Sequence, residues 1–178
     1  MKAGAPAGAD GPVRAGSAGD VARVSATVPA SPADAFDLFT RETDLWWRRG
    51  VRFRAGGRAP GALHFEPGAG GRLFEEFTND TGTHLVEFGR ITVWEPAARL
   101  VFEWRNVNFA PDEKTEVEVR FEAAGRGTRV TVVHRGWSSL RADHPARHGE
   151  PADVFIRRLG LWWGELLTAL REHAARRP

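Results

Sequence analysis

Residues 115–135 read TEVEVRFEAAGRGTRVTVVHR, two runs of alternating apolar and charged side chains around a short glycine-containing turn. This alternation predicts two half-buried antiparallel strands. Pairing Glu122 with Arg129 fixes the register, because it also places Glu116 beside Arg135 and joins opposite charges on the outer face. In that register His134 lies on the apolar face opposite Val117. An imidazole on the inner side of a sheet is a candidate for function.

The elements before and after this hairpin complete the fold. Upstream, period-two patterns and turn residues predict five further strands: Val21–Val28, Ala62–Glu66, Arg72–Phe77, His84–Trp94 and Arg99–Arg105. Two short helices follow the first strand; Ser31 is placed as N-cap of the first helix and Pro32 as its first residue. Downstream, apolar residues at helical spacing predict one long amphipathic helix from Asp153 to Ala175.

This order of elements predicts an α+β helix-grip fold, a curved antiparallel β-sheet wrapped around a long C-terminal α-helix, with two short helices after the first strand. A lipocalin-like barrel would lack the early helix pair, and a cystatin-like cone would not end on a long helix. The length of 178 residues suits one domain. We expect a flexible Ala/Gly/Pro-rich tail at 1–20 and a single domain at 21–178.

Composition excludes several classes of protein. The sequence has 25 Lys+Arg against 23 Asp+Glu and no Tyr or Cys. The pI of 9.9 therefore reflects the lack of groups that titrate between histidine and lysine, and it does not indicate a nucleic-acid partner. Cysteine chemistry is excluded, and no apolar run suggests membrane insertion or a signal peptide. With its GC-rich residue usage, we expect a bacterial cytoplasmic protein.

Several local motifs resemble one known superfamily. They are Leu45-Trp46-Trp47, the glycine-led strand start Gly70-Gly71-Arg72-Leu73, the Glu-Pro turn with Phe-x-Trp in residues 94–104, and residues 127–137 (GTRVTVVHRGW). Together with the order of elements, they resemble the START/birch-pollen-allergen (helix-grip, SRPBCC) superfamily, and more narrowly the homologues of the heat-shock-protein-90 ATPase activator. The resemblance covers about Val21 to His173. The segments 48–61 and 138–151 depart from it, and both are expected near the mouth of a cavity.

The resemblance implies a deep apolar cavity between the sheet and the long helix. Members of the superfamily bind or transfer lipids and other hydrophobic ligands there, or carry out cyclase and dehydratase chemistry on polyketides. The 18 aromatic side chains (7 Trp and 11 Phe) supply apolar surface without phenol hydroxyls. We predict a small hydrophobic ligand, bound by Trp46, Trp47, Leu73, Phe88, Leu100, Phe102, Trp104, Val117, Val119, Phe121, Val132, His134, Trp162, Trp163 and Leu166.

Polar candidates inside such a cavity are few. His134 could orient a ligand or act as acid or base, although a buried structural histidine explains the pattern as well. Glu75 and Glu76 are consecutive, so one of them must point inward, where it could pair with His134 or Arg90. In the enzyme hypothesis, His134, Glu75 and Glu76 are the catalytic residues. Gly160 and Gly164 either make room for a ligand or only tune packing.

Other classes of site have weaker support. The segment Asp143–Glu150 contains two histidines, but Pro145 disfavours a regular helical pair, so we expect no metal, no cofactor and a mobile, solvated lid at 138–151. A chaperone-interacting module is the remaining alternative, although no large apolar patch supports contact with a chaperone. A homodimer stays open.

Overall fold

The computed structural model describes residues 20–177, and it contains seven strands and three α-helices in the predicted order. The strands are β1 (Ala22–Val28), β2 (Gly61–Phe65), β3 (Arg72–Asn79), β4 (Gly82–Glu95), β5 (Arg99–Trp104), β6 (Thr115–Ala124) and β7 (Gly127–Arg135). The helices are α1 (Pro32–Arg41), α2 (Thr43–Trp46) and α3 (Ala152–Ala175). The predicted α+β helix-grip fold is confirmed.

The strands form one antiparallel sheet in the order β1-β7-β6-β5-β4-β3-β2. The predicted register of the β6–β7 hairpin is confirmed: Glu122 lies opposite Arg129, Glu116 opposite Arg135 and Val117 opposite His134. Because β1 and β2 are at opposite edges, the segment with α1 and α2 must cross from one edge of the sheet to the other. The sheet curls into a half-barrel that holds α3.

Strand β4 belongs to both halves of the curled sheet. Its first part pairs with β3 up to Arg90, and its second part pairs with β5 from Ile91. The register shifts near Phe88, which is the signature of a β-bulge. A Cβ on the adjacent Gly89 would lie 1.7 Å from the carbonyl oxygen of Glu103, so only glycine fits where the strand bends.

The helices begin and end close to the predicted residues. The Ser31 hydroxyl accepts a hydrogen bond from the backbone N–H of Asp34 at 3.1 Å, and Pro32 opens α1. Helix α1 buries Ala35, Phe36 and Phe39 against the sheet. The C-terminal helix begins at Ala152, one residue from the predicted start, and it ends at Ala175 as predicted.

Two expectations about the chain outside the regular elements are wrong. Asp20, assigned to the tail, is buried, and its carboxylate accepts hydrogen bonds from the backbone N–H and the hydroxyl of Ser138. The prediction for residues 1–19 lies outside the described residues. The segment 138–151 is not a solvated lid, because it buries Leu140, His144 and Arg147. This segment is polar in composition, but contacts with other parts of the chain bury these three side chains.

Candidate functional site

Most of the space between the sheet and the second half of α3 is filled by side chains. Most of the predicted ligand-binding residues are packed in this main core, namely Trp46, Trp47, Leu73, Phe88, Leu100, Phe102, Val117, Val119, Phe121, Val132, Trp163 and Leu166. Trp163 is fully buried, and its ring meets Trp47 and Trp104 edge-on. Contact between these residues and a ligand therefore stays a prediction. The open space of the molecule lies beside this core, not within it.

His134 lies at one end of this core and is fully buried. The indole N–H of Trp163 donates to its Nδ1 at 3.2 Å, so Nδ1 carries no proton and the neutral ring holds its hydrogen on Nε2. That Nε2 lies 2.8 Å from the hydroxyl oxygen of Thr115, to which it donates. The Thr115 hydroxyl can in turn donate to the carbonyl of Trp104 at 3.3 Å. Burial lowers the pKa of His134 to about 3, so the imidazole stays neutral near pH 7.

The predicted pairing of a glutamate with His134 or Arg90 is wrong. Glu75 is the inward-pointing member of its pair, and it is 2% exposed. Its carboxylate accepts hydrogen bonds from the backbone N–H groups of Ala55 at 2.7 Å and Gly56 at 3.4 Å. Arg90 instead bonds Glu87 on the surface. Glu75 therefore fixes the loop before β2, a role that sequence periodicity could not distinguish from catalysis.

A second, smaller core lies beyond His134. It is formed by Ala22, Phe109, Trp137, Leu140, Phe155 and Ile156, with Ala146 and Leu159 packed against it. Two segments meet there: the loop between β5 and β6 and the segment between β7 and α3. They are joined by His144, whose Nε2 lies 2.8 Å from the carboxylate of Glu113. The backbone N–H of Ala146 donates to the other ring nitrogen, so Nε2 carries the proton and donates to Glu113.

A cleft of about 550 Å³ opens between these two cores. Its apolar wall consists mainly of rings from four parts of the chain. The lining residues are Val51, Trp104, Phe109, Trp137, Ala146, Phe155, Leu159 and Trp162, with Arg52, Asn106, Asn108, His134, His148 and Arg158 as the polar members. Of the predicted ligand-binding residues, the structure brings Trp104, His134 and Trp162 together here. Both departing segments reach the cleft, as expected.

The other lining residues were missed as site residues. Phe155 and Leu159 carried a signal, since they belong to the apolar stripe of α3, four residues apart. Trp137 directly follows the predicted hairpin, but nothing in the sequence indicates that Phe109 packs against it at a ring separation of 5.9 Å. A neighbouring hollow of about 220 Å³ shares Trp104 with the cleft and is also lined by Phe88.

Hydrogen bonds hold the cleft wall in place. The indole N–H of Trp162 donates to the carbonyl of Arg52 at 2.7 Å, and its ring stacks on Phe53. Trp104 packs edge-on against Trp162 from the strand side. These contacts link the loop at 50–54, strand β5 and helix α3. The wall is therefore held by contacts within the chain.

Unsatisfied polar atoms concentrate beside the cleft. Within residues 20–177, the buried side-chain atoms that lack a hydrogen-bond partner are Trp137 Nε1, Arg147 Nε and Glu150 Oε2. All three belong to the segment between β7 and α3. Buried donors are normally paired, so the unpaired indole N–H of Trp137 is an unusual feature of this segment.

The glycines of α3 do not line this cleft. A Cβ on Gly160 or Gly164 would meet only the side chain of Val24, at 3.9 and 4.0 Å. Both glycines therefore face β1 at ordinary packing distance. The space of the cleft therefore does not depend on these two glycines.

The described part of the chain has neither a metal-binding cluster nor a membrane-spanning helix. Residues 20–177 contain no group of three or more His, Asp or Glu side chains placed to hold a metal ion. None of the helices described there has both the length and the hydropathy required to cross a membrane.

Comparisons with known proteins agree with this architecture. MLL2253 from Mesorhizobium loti is similar at 15% identity and a TM-score of 0.60, over 89% of this chain and 98% of that one. The Aha1 dimer from Colwellia psychrerythraea is similar at 15% identity and a TM-score of 0.55, over 85% and 93%. DynU16, from the dynemicin biosynthetic locus, is similar at 19% identity and a TM-score of 0.60, over 88% of this chain but 48% of that one.

No curated protein matches the chain. These three solved structures are distant in sequence, and they show a shared fold. A family model adds sequence-level evidence, because it matches residues 29–171, from the end of β1 to near the end of α3. The chain belongs to the family of activator of Hsp90 ATPase homolog 1-like proteins.

Proposed function

We propose that this protein binds a small hydrophobic ligand in the cleft between its two cores. The observation that carries the proposal is the cleft itself, about 550 Å³ in volume and walled by the rings of Trp104, Trp137 and Trp162. This volume falls in the range of about 300–1,000 Å³ that is typical of small-molecule sites. Apolar walls with a few polar groups are the usual composition of such sites.

The rigid wall supports this proposal. Trp162 is held by its hydrogen bond to the carbonyl of Arg52, and Trp137 packs on Phe155 with 4.6 Å between ring centres. A preformed apolar wall lowers the entropy that binding would otherwise cost. The fold also supports a hydrophobic ligand, since helix-grip proteins of this superfamily bind such ligands.

The other two hypotheses have less support. Cyclase-type chemistry would need an acid–base pair, but the Glu75 carboxylate bonds backbone N–H groups and His134 is fixed between Trp163 and Thr115. The family name refers to an activator of a chaperone ATPase, and no feature of residues 20–177 described above favours such a contact. A homodimer stays a prediction, although one structural neighbour is described as a dimer.

Binding can be tested with N-phenyl-1-naphthylamine, a neutral dye whose fluorescence rises in apolar surroundings. Leu159 is half-buried in the cleft wall, whereas Leu161, on the same helix, is 66% exposed. Leu159→Trp should fill part of the cleft and weaken dye binding by about tenfold, while Leu161→Trp should leave it unchanged. Equal dye affinity in both variants, or no binding by the wild type, would contradict the proposal.

A complementary measurement looks for the natural ligand. Native mass spectrometry of freshly purified protein should show added mass from a retained small molecule. The Leu159→Trp variant should lose that mass, and Leu161→Trp should keep it.

A further inference from the structure

The polar groups around the cleft are strongly biased in charge. Two guanidinium groups line it, those of Arg52 and Arg158, together with the side-chain amides of Asn106 and Asn108. No carboxylate belongs to the lining residues of this cleft. The residues that line the cleft therefore carry two cationic groups and no anionic one, and the carboxylates of Glu150 and Glu165 pair with these cations from outside the lining.

The existing ion pairs leave this positive charge only partly neutralised. The Arg158 guanidinium lies 3.2 Å from the carboxylate of Glu150, and no second carboxylate lies within ion-pair distance among the described residues. Glu165 serves two cations, Arg52 at 3.0 Å and Arg48 at 3.7 Å. Since a guanidinium has five N–H donors in a planar fork, both lining arginines retain donors for a further acceptor.

We propose that the ligand of this cleft is an aromatic carboxylate, with its ring against the tryptophan wall and its carboxylate towards Arg158. This inference rests on the proposed function and specifies its ligand class. Flat rings suit a wall made of Trp104, Trp137 and Trp162, whose faces and edges allow stacked and edge-on contacts. A carboxylate matches the guanidinium fork in geometry as well as in charge.

A matched pair of competitors tests the charge requirement. We would displace bound N-phenyl-1-naphthylamine with 2-naphthoate and with 2-naphthamide, which differ in charge but hardly in shape. The acid should compete about tenfold better than the amide in the wild-type protein, as expected for a charged hydrogen bond at a partly exposed site. The preference should decline as salt concentration rises.

Two substitutions assign this preference to residues. Arg158→Gln should reduce the affinity for naphthoate about fivefold and leave the affinities for naphthamide and the neutral dye within about twofold. Trp137→Phe keeps a ring in the cleft wall and leaves both lining arginines in place, so the preference for naphthoate over naphthamide should persist. Arg129→Gln, at an exposed position on β7 away from the cleft, is the control and should change nothing.

The outcomes separate the two proposals. If the dye binds but acid and amide compete equally, the carboxylate inference is overturned and the hydrophobic site stands. The same conclusion follows if Arg158→Gln weakens all three compounds equally, since that indicates a structural role. If the dye does not bind in the cleft at all, the proposed function fails first.

Discussion

The two halves of α3 face different surroundings, although both carry apolar residues at helical spacing. The second half presents Leu166 and Leu170, and like Trp163 at the middle of the helix they are fully buried in the main core. The first half presents Phe155 and Leu159 to the smaller core and to the cleft. The same amphipathic pattern therefore produces a filled interior at one end and a ligand-sized space at the other. The second half packs against the sheet, whereas the first half packs against the loops of the smaller core.

The largest expected difference between these halves is in packing energy. Leu166→Ala should lower the free energy of unfolding by about 2–5 kcal/mol, because it leaves a cavity in a packed core. Leu159→Ala should cost about 1 kcal/mol, since Leu159 is half-buried and borders space that is already open. Urea denaturation of the two variants measures both values. Equal losses would show that the cleft wall is packed as tightly as the core.

The next effect is a dependence of stability on pH. The pKa of His134 is lowered by burial from 6.5 to about 3, so below pH 6.5 the unfolded chain takes up a proton that the folded protein does not. The contribution of His134 to the free energy of unfolding is therefore fully present above pH 6.5 and is lost as pH falls towards 3. Between pH 6.5 and 4.5 this residue should account for a loss on the order of 2–3 kcal/mol.

His134→Gln removes that proton uptake. The variant should show a smaller decline in the free energy of unfolding over this pH interval, whatever its stability at pH 7. The other histidines contribute equally to both proteins, so the difference in slope isolates His134. Parallel curves for the two proteins would mean that His134 protonates normally in the folded state.

The two cores differ in how the indole N–H of a buried tryptophan is paired. Trp163 donates to His134, whereas the N–H of Trp137 is unpaired. Trp163→Phe should cost about 1–3 kcal/mol more than Trp137→Phe, because the first leaves a buried acceptor unsatisfied and the second removes an unsatisfied donor. Chemical denaturation in the absence of ligand checks this difference. A greater cost for Trp137→Phe would imply that its N–H has a partner, such as an ordered water.

The smallest effect concerns the side of α3 that faces β1. Gly160→Ala should stabilise the protein by up to about 1 kcal/mol, since alanine is the better helix former and its Cβ would sit 3.9 Å from Val24. The variant should leave dye binding unchanged, because Gly160 does not line the cleft. A rise in the thermal midpoint with unaltered dye affinity is the expected result. Loss of binding would restore the alternative in which the glycine makes room for a ligand.

Local sequence patterns were enough to predict the helices, the strands and the pairing within the hairpins. Alternation in residues 115–135 specified the β6–β7 register, because slipping by one residue would expose the aliphatic face and bury the charges. The capping signal at Ser31 and the apolar stripe of α3 are equally local. Of the residues that line the cleft, sequence patterns named only Trp104, His134 and Trp162, whose strand or helix faces point to the interior.

Which of the inward-pointing residues border open space depends on long-range packing in the folded chain. Whether a buried ring fills a core or lines a cleft depends on what lies opposite, and here that is the packing of Phe109, Trp137 and Phe155 from three distant segments. The same holds for Glu75 and His134, whose hydrogen-bond partners are far away in sequence. Periodicity reports the direction of a side chain, whereas its chemistry is set by neighbours that the fold brings to it.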